Sequence, residues 1–178
     1  MDCRLSPLIS REEIEQTVSR LARQITNDYR GRPLLAVGIL KGAFIFMADL
    51  VRQIGIPLEI DFVIVSSYGS GTESSRRITM VHDMTADVKG KDVLLIEDIV
   101  DSGHTVSFVM QHLRARGAGS VRLCALADKP SRRETDVRID YLGFTVPDKF
   151  VVGYGLDFDN RFRYLPDIQC MERCDPGE

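Results

Sequence analysis

The segment from Val93 to Thr105 constrains the fold of this chain more than any other. It begins with an apolar run and continues into three carboxylates that stand within five residues, Glu97, Asp98 and Asp101. A short Ser-Gly-His-Thr loop then leads into a helical pattern. A buried strand followed by such a loop and a helix is typical of the ligand-binding edge of an α/β sheet, because ligands there bind outside the carboxyl ends of the strands.

The loop itself predicts a phosphate site. Ser102, Gly103 and Thr105 supply hydroxyls and backbone N–H groups at the N-terminus of a helix, where an anion is stabilised. The three carboxylates would repel the same anion. The conflict is resolved if the carboxylates face sugar hydroxyls or a divalent cation while the phosphate alone meets the loop.

The alternative is a strand-to-helix turn without a ligand, in which Asp101 or Ser102 caps the helix. That interpretation accounts for one acid and leaves the other two unexplained. Adjacent carboxylates at the end of a buried strand are costly without hydroxyl, cation or water partners. The pattern therefore favours a ligand site.

The order of the predicted elements favours an α/β fold, with a mostly parallel central sheet flanked by helices. A capping box formed by Ser10 and Glu13 predicts a first helix that ends before Gly31. Apolar periodicity predicts further helices over 43–54 and 104–116, and strands over 34–39, 58–67, 78–82, 92–96, 121–127, 139–144 and 150–154. The length of 178 residues predicts one domain. The polar segment over about 169–178 has no pattern that can be interpreted and is treated as a tail.

Charge and hydropathy exclude two kinds of partner. The 23 Lys and Arg residues against 26 Asp and Glu give a net charge of −3, so no basic excess exists to hold a polynucleotide. The longest apolar run, Leu34 to Leu40, is far shorter than the ~20 residues that span a bilayer. We expect neither a nucleic-acid partner nor a membrane partner.

The cysteines and the first residues indicate a compartment. The four cysteines form no Cys-x-x-Cys pair, and Cys124 lies in an apolar strand where a small buried side chain fits. Met1 to Arg4 are not followed by the apolar core of a signal peptide. We expect a cytoplasmic protein with reduced thiols.

The segment over 67–77 is small, polar and glycine-bearing between two predicted strands. Loops of this length in compact domains are usually functional or disordered. Composition alone leaves both interpretations open.

The residues also resemble a known family. Glu97 to Thr105 looks like the phosphoribosyl-diphosphate (PRPP) motif of type I phosphoribosyltransferases. That motif specifies only PRPP binding, but its companions resemble the purine branch of the family, which uses hypoxanthine and guanine: Leu40-Lys41-Gly42-Ala43, Ser67-Tyr68, Lys129 and Lys149 to Asp157. The resemblance spans about residues 6–168 and implies the fold of that family, with a small hood region and a mobile lid loop.

On the PRPP side, the resemblance implies that Glu97 and Asp98 hold the ribose hydroxyls, as hydrogen-bond acceptors for a diol. Asp101 would act as general acid or base toward ring nitrogen 7 of the purine. The 5′-phosphate would be cradled by the loop residues Asp101, Ser102, Gly103, His104 and Thr105. His104 is expected to contribute through its backbone only.

The resemblance also implies a pyrophosphate site at Lys41, Gly42 and Arg163, often with a cis peptide between Leu40 and Lys41. From the residues alone, Lys-Gly is a common turn and Arg163 an ordinary surface residue. Mg²⁺ is the implied cofactor, and the implied metal ligands are Asp157, Glu97 and Asp98.

For the base, the resemblance implies that Lys129 donates to the six-position carbonyl of an oxo-purine, which adenine lacks. Phe150 would stack on the ring, and backbone groups near Val151 and Asp157 would contact its edge. Without the resemblance, the Phe-Val-Val run is better interpreted as a core strand and Asp157 as a turn residue. Ser67 and Tyr68 would close the lid over the reaction centre and exclude water.

The expected function is transfer of the 5-phosphoribosyl group from PRPP to hypoxanthine or guanine, which yields a nucleoside monophosphate and pyrophosphate. The preference between the two bases stays open. The family implies a homodimer or homotetramer. Two alternatives remain: a PRPP-sensing regulator that binds nucleic acid, which would need a basic face, and an enzyme of the same fold that uses xanthine or a pyrimidine.

Overall fold

The computed structural model describes residues 2–68 and 77–175, with side chains over 4–66 and 78–172. The helices are α1 (Arg11–Asp28), α2 (Phe44–Val51) and α3 (His104–Ala115). The strands are β1 (Asp2–Ile9), β2 (Leu34–Leu40), β3 (Leu58–Tyr68), β4 (Arg77–His82), β5 (Asp92–Val100), β6 (Ser120–Asp128), β7 (Tyr141–Thr145), β8 (Phe150–Val152) and β9 (Ile168–Asp175).

The central sheet has the strand order β4-β3-β2-β5-β6-β7. Only the β3–β4 pair is antiparallel among these neighbours in the described part of the chain. The predicted α/β class is therefore confirmed. Because β2, β5 and β6 run in parallel, the residues that follow Leu40, Val100 and Asp128 meet at one edge of the sheet.

Helices cover both faces of this sheet. Leu94 and Ile96 of β5 belong to the core under α1 and α2, whereas Val93 and Leu95 belong to the core under α3. This alternation follows from the two-residue period of a strand.

The predicted capping box begins α1. Ser10 Oγ accepts from the backbone N–H of Glu13 at 3.2 Å, and Glu13 Oε2 accepts from the backbone N–H of Ser10 at 2.8 Å. These bonds hold the pKa of Glu13 below its usual value, because they favour the ionised carboxylate. The helix buries the periodic positions on which its prediction rested, Ile14, Val18, Leu21, Ala22 and Ile25.

A second, antiparallel sheet has the order β1-β9-β8 and joins the two ends of the described chain. Ser6 lies opposite Cys170 in the β1–β9 register, and Val151 of β8 lies opposite Cys170 from the other side. The sequence predicts neither β1 nor β9, and it treats 169–178 as a tail. Both strands are short and partly polar, and each depends on a partner about 160 residues away, which local periodicity does not register.

None of the helices in the described ranges combines the length and apolar character that a membrane crossing requires.

Candidate active site

The loop after β5 opens α3 through Gly103, which is the N-cap residue and has φ of +87°. Within the described residues, no side chain caps this helix. The capping alternative for Asp101 or Ser102 is therefore wrong, and the first N–H groups of α3 have no side-chain acceptor from this turn. A small cavity of about 70 Å³ lies here, lined by Glu97, Ile99, Val100, Asp101, Ser102, Gly103, Thr105 and Val106.

The two adjacent acids of β5 face different parts of the site. Glu97 lines the cavity beside the loop after β5, residues 101–105, which is the predicted phosphate loop, whereas the Asp98 carboxylate lies against Gly42. This divergence follows because consecutive side chains of a strand point to opposite faces. Both residues are buried, with 8% of Glu97 and 9% of Asp98 exposed.

Burial changes the acidity of both groups. Burial, together with the nearby charge of Asp98, raises the pKa of Glu97 well above its usual value. Burial raises the pKa of Asp98 to about 6, although the Ile99 N–H, which donates to Oδ1 at 2.8 Å, and the charge of Arg163 both act in the opposite direction. Among the described residues, Glu97 Oε2 and Asp101 Oδ1 are buried without a hydrogen-bond partner. Such orphaned oxygens are rare in folded proteins and indicate a missing donor or ion.

The loop after β2 approaches Asp98 closely. A Cβ atom at Gly42 would collide with the Asp98 carboxylate, and one at Gly155 would collide with the carbonyl oxygen of Gly42. Only glycines permit these approaches. The peptide between Leu40 and Lys41 is cis, and Lys41 is exposed.

Arg163 reaches the same place from the segment after β8. Its guanidinium donates to the carbonyl of Gly155 at 2.6 Å and forms an ion pair with Asp157 at 2.6 Å. The other oxygen of Asp157 accepts from the backbone N–H of Asn160 at 2.7 Å. These contacts place the predicted residues of this side in one cluster, namely Arg163, Gly42, Asp98 and Asp157.

The predicted base-binding residues also come together. Lys129 follows β6, is only 5% exposed, and donates from Nζ to the backbone carbonyl of Lys149 at 2.9 Å. The next residue, Phe150, exposes 51% of its surface and packs edge-on against Phe158, with ring centroids 5.5 Å apart. Val151 is buried. The buried ammonium is thus hydrogen-bonded to the residue that immediately precedes an exposed aromatic residue.

The predicted lid falls mostly outside the described residues. Ser67 and Tyr68 end β3, where their backbones pair with Ile78 and Arg77 of β4. Their side chains, and all of residues 69–76, lie outside what the structure describes.

Known proteins match this arrangement along nearly the whole chain. A family model described as a phosphoribosyl transferase domain matches residues 9–159. The chain is 48% identical over 163 residues to the hypoxanthine phosphoribosyltransferase of Salmonella typhimurium, which covers 90% of this chain and 92% of that protein. This chain belongs to the hypoxanthine phosphoribosyltransferase family.

Other members agree in sequence and in structure. The chain is 49% identical over 165 residues to the hypoxanthine-guanine phosphoribosyltransferase of Bacillus subtilis. This alignment covers 93% of this chain and 92% of that protein. The crystal structure of a hypoxanthine phosphoribosyltransferase from Staphylococcus aureus matches with a TM-score of 0.90 and 42% identity, over 94% of this chain and 91% of that one. The predicted family, its phosphoribosyltransferase activity and its fold are confirmed.

The magnesium ion implied for phosphoribosyltransferases fits these residues only if the protein and the substrate hold it together. In the described part of the chain, no three acidic, histidine or cysteine side chains converge on a point that would hold a metal ion. Mg²⁺ is usually held by one or two carboxylates together with substrate phosphates and water. The unpartnered Glu97 oxygen and the clustered Asp98 and Asp157 carboxylates suit that mode of binding.

Sequence reasoning missed a segment that supports the phosphate loop. The backbone N–H groups of Glu134 and Thr135 both donate to the carbonyl of Ser102, at 3.0 and 2.9 Å. His104, expected to act through its backbone alone, also places its imidazole between Glu134 at 2.8 Å and Thr135 at 2.7 Å. The polar run after Lys129 contains no motif or periodicity that signals these contacts, since they depend on tertiary packing.

Proposed function

We propose that this enzyme transfers the 5-phosphoribosyl group from PRPP to hypoxanthine and guanine, forming IMP or GMP and pyrophosphate. The observation that carries the proposal is the meeting, at one sheet edge, of an uncapped phosphate loop, two buried acids and a buried lysine beside an exposed aromatic ring. The named relatives from Salmonella typhimurium and Bacillus subtilis support these bases.

The proposed PRPP site begins at the start of α3. The 5′-phosphate accepts hydrogen bonds from the backbone N–H groups and hydroxyls of Ser102 to Thr105, in the position where the helix lacks a side-chain cap. Glu97, whose Oε2 has no partner among the described residues, accepts from a ribose hydroxyl on the cavity side. Asp98 serves the opposite side of the ribose, near Gly42.

The proposed pyrophosphate site consists of Lys41, Gly42 and Arg163. The Arg163 guanidinium exchanges its ion pair with Asp157 for the incoming anion, which releases the Asp157 carboxylate. The residues that would hold Mg²⁺ on this side are Asp157 and Asp98, together with substrate oxygens, whereas Glu97 would be available to an ion on the cavity side. When bound, the ion supplies positive charge that stabilises the leaving pyrophosphate.

Asp101 is the proposed general acid or base. Its Oδ1 is buried beside the phosphate loop and has no partner in the described part of the chain, so it is available to a proton on the base. The carboxylate accepts the proton that ring nitrogen 7 loses as the new glycosidic bond forms.

Base selection is proposed to rest on Lys129. Its ammonium, held by the carbonyl of Lys149, donates to the six-position oxygen of hypoxanthine or guanine, while Phe150 packs on the ring. Adenine carries an amino group there, so the ammonium keeps the Lys149 carbonyl but the N–H that points to the base has no acceptor, which costs far more than a lost methylene contact. Xanthine shares the six-position oxygen and is discriminated only at the two-position.

The direct test is to incubate the protein with PRPP, Mg²⁺ and each of hypoxanthine, guanine, xanthine and adenine, and to measure the nucleotide formed. We expect IMP and GMP, little XMP and no AMP. No nucleotide from any base would overturn the enzymatic function, and AMP as the main product would overturn the role of Lys129. The Asp101→Asn protein serves as the matched inactive control.

We also propose a cytoplasmic homodimer or homotetramer. Large apolar side chains are exposed on α2, β3 and β4, namely Phe44, Ile60 and Val81. Burial of such side chains between copies favours association. Light scattering of the purified protein should give a mass of two or four chains, and a monomer at micromolar concentration would contradict the proposal. The buried, unpaired thiols of Cys124 and Cys170 suit a reducing compartment.

A further inference from the structure

Arg133, Glu134 and Thr135 form a segment, here called the strap, that supports the phosphate loop. Two backbone N–H groups of the strap hold the Ser102 carbonyl, and its Glu134 and Thr135 side chains hold the His104 ring. A Cβ atom at Gly103 would lie 2.5 Å from the carbonyl oxygen of Thr135. The loop is therefore pressed against the strap over its whole length from Ser102 to His104.

Arg133 is the basic member of this strap, and its side chain packs on the loop at Gly103. The same Cβ position at Gly103 lies 3.3 Å from both Cδ and Nη1 of Arg133. The side chain is 19% exposed, and its Nη2 forms an ion pair with Asp128 at the end of β6. Arg132, its neighbour in sequence, is 54% exposed and pairs with Asp148 instead.

The Nη1 group of Arg133 is buried and has no hydrogen-bond partner among the described residues. A buried donor left unpaired is destabilising, and such groups are uncommon in folded proteins. The ion pair is also oriented, because Asp128 binds Nη2 whereas Nη1 lies beside Gly103. The positive end of the pair thus faces the loop, where shielding by water is weak.

We propose that Arg133 is a positioning residue for the 5′-phosphate of the substrate. Anchored on Asp128, its guanidinium supports Gly103 and holds the Ser102–Thr105 amides in their anion-binding curvature, and its charge stabilises the phosphate through the loop. This inference rests on the proposed function, because it takes the loop as the 5′-phosphate site.

The test compares a nucleotide with its nucleoside, which differ only in the 5′-phosphate. Calorimetric titration gives the Kd of IMP and of inosine for the wild type, Arg133→Met, Arg133→Lys and the matched control Arg132→Met. We expect Arg133→Met to weaken IMP by about tenfold, equivalent to ~1.4 kcal/mol, and to change inosine less than twofold. Arg133→Lys, which keeps a charge, should recover part of the loss, and Arg132→Met should bind both ligands as the wild type does.

Steady-state kinetics supply an independent measurement. Arg133→Met should raise the KM for PRPP by about tenfold while the KM for hypoxanthine at saturating PRPP and the kcat change little. If Arg133→Met does not fold, Asp128→Asn is the substitute, because it releases the guanidinium but keeps its charge. Asp128→Asn should weaken IMP binding more than inosine binding, and its effect on IMP should be smaller than the tenfold loss expected for Arg133→Met.

Equal weakening of IMP and inosine would overturn the proposal, because a merely structural arginine lowers the affinity for both. So would an unchanged IMP affinity, or an equal effect of Arg132→Met. If the wild type binds IMP and inosine with the expected phosphate preference but forms no nucleotide from any base, the proposed function fails while the inference on Arg133 stands.

Discussion

The proposed phosphate side and the proposed base side of the active site are built in different ways. The phosphate side is one continuous stretch of chain, Glu97 to Thr105, which comprises the end of a largely buried strand and the loop that follows it. The base side combines Lys129 after β6, the Lys149 carbonyl and Phe150 on β8, which is held in place by β9 from the end of the described chain. Phosphate recognition is therefore local in sequence, and base recognition depends on packing between distant segments.

The two sides also differ in how their charges are balanced. The phosphate side leaves Glu97 Oε2, Asp101 Oδ1 and Arg133 Nη1 buried without partners among the described residues, whereas the base-side ammonium of Lys129 already has an acceptor. Such unpaired groups destabilise the free protein, and in the proposed function the two carboxylate oxygens gain partners when substrate binds. The comparison shows that the destabilisation caused by buried unpaired groups is concentrated on the side proposed to bind the charged substrate.

The largest effect is expected at Asp101. Asp101→Asn keeps the shape of the side chain but removes the proton acceptor, so kcat should fall by about 10²–10⁴-fold while the KM for PRPP changes little. Rapid-quench measurement of nucleotide formation tests this. A loss of PRPP affinity equal to the loss of kcat would mean that Asp101 positions the loop and transfers no proton.

Recognition of the base is tested most directly by a substitution of Lys129. Lys129→Met removes the donor to the six-position oxygen and should lower kcat/KM for hypoxanthine by about 10–100-fold, the cost of one or two lost hydrogen bonds, with PRPP binding unchanged. Lys149→Met is the matched control, because Lys149 contributes its backbone carbonyl and not its side chain. If the KM for PRPP rises as much as the KM for the base, the two sides are not separable.

A smaller effect is expected at Gly103. Gly103→Ala would place a Cβ atom 2.5 Å from the Thr135 carbonyl at φ of +87°, so it should both destabilise the protein by ~2 kcal/mol and weaken PRPP by about tenfold. Gly31→Ala is the control, because its φ is +76° but nothing lies within 4 Å of the added atom. It should cost ~1 kcal/mol in denaturant unfolding and leave PRPP binding intact. Equal effects of the two variants would show that the strap does not constrain the loop.

The smallest effect is a change of stability with pH. A carboxyl group whose pKa is raised by folding binds its proton more tightly in the folded than in the unfolded state, so its stabilising contribution is complete below the unfolded pKa and is lost as pH rises. For Asp98 this loss falls between about pH 4 and its folded pKa of about 6, and for Glu97 it extends to higher pH.

Glu97→Gln removes the ionisation of one buried acid. The free protein should therefore gain ~1 kcal/mol or more in unfolding free energy at pH 8, and the gain should shrink toward pH 5. Urea unfolding at several pH values measures this difference. A gain that is constant with pH would mean that Glu97 titrates normally.

Sequence reasoning predicted most of the central sheet because its signals are local. The helix caps and the alternation of apolar strands with helices identify α1, α3 and the parallel strands to within a few residues. The predicted strand over 92–96 was too short, since β5 continues through Glu97 and Asp98 to Val100. Charged residues interrupt the apolar pattern, although the ladder of hydrogen bonds to β6 continues beside them.

The sequence by itself determined the α/β class and the family, and it predicts the phosphate loop, because each depends on residues close together along the chain. Only the tertiary structure decided that 168–175 forms a strand of the second sheet, that Glu97 and Asp98 face different parts of the site, and that Arg133 supports Gly103. These features depend on pairing and burial between segments that are far apart in sequence, and no local pattern specifies such contacts.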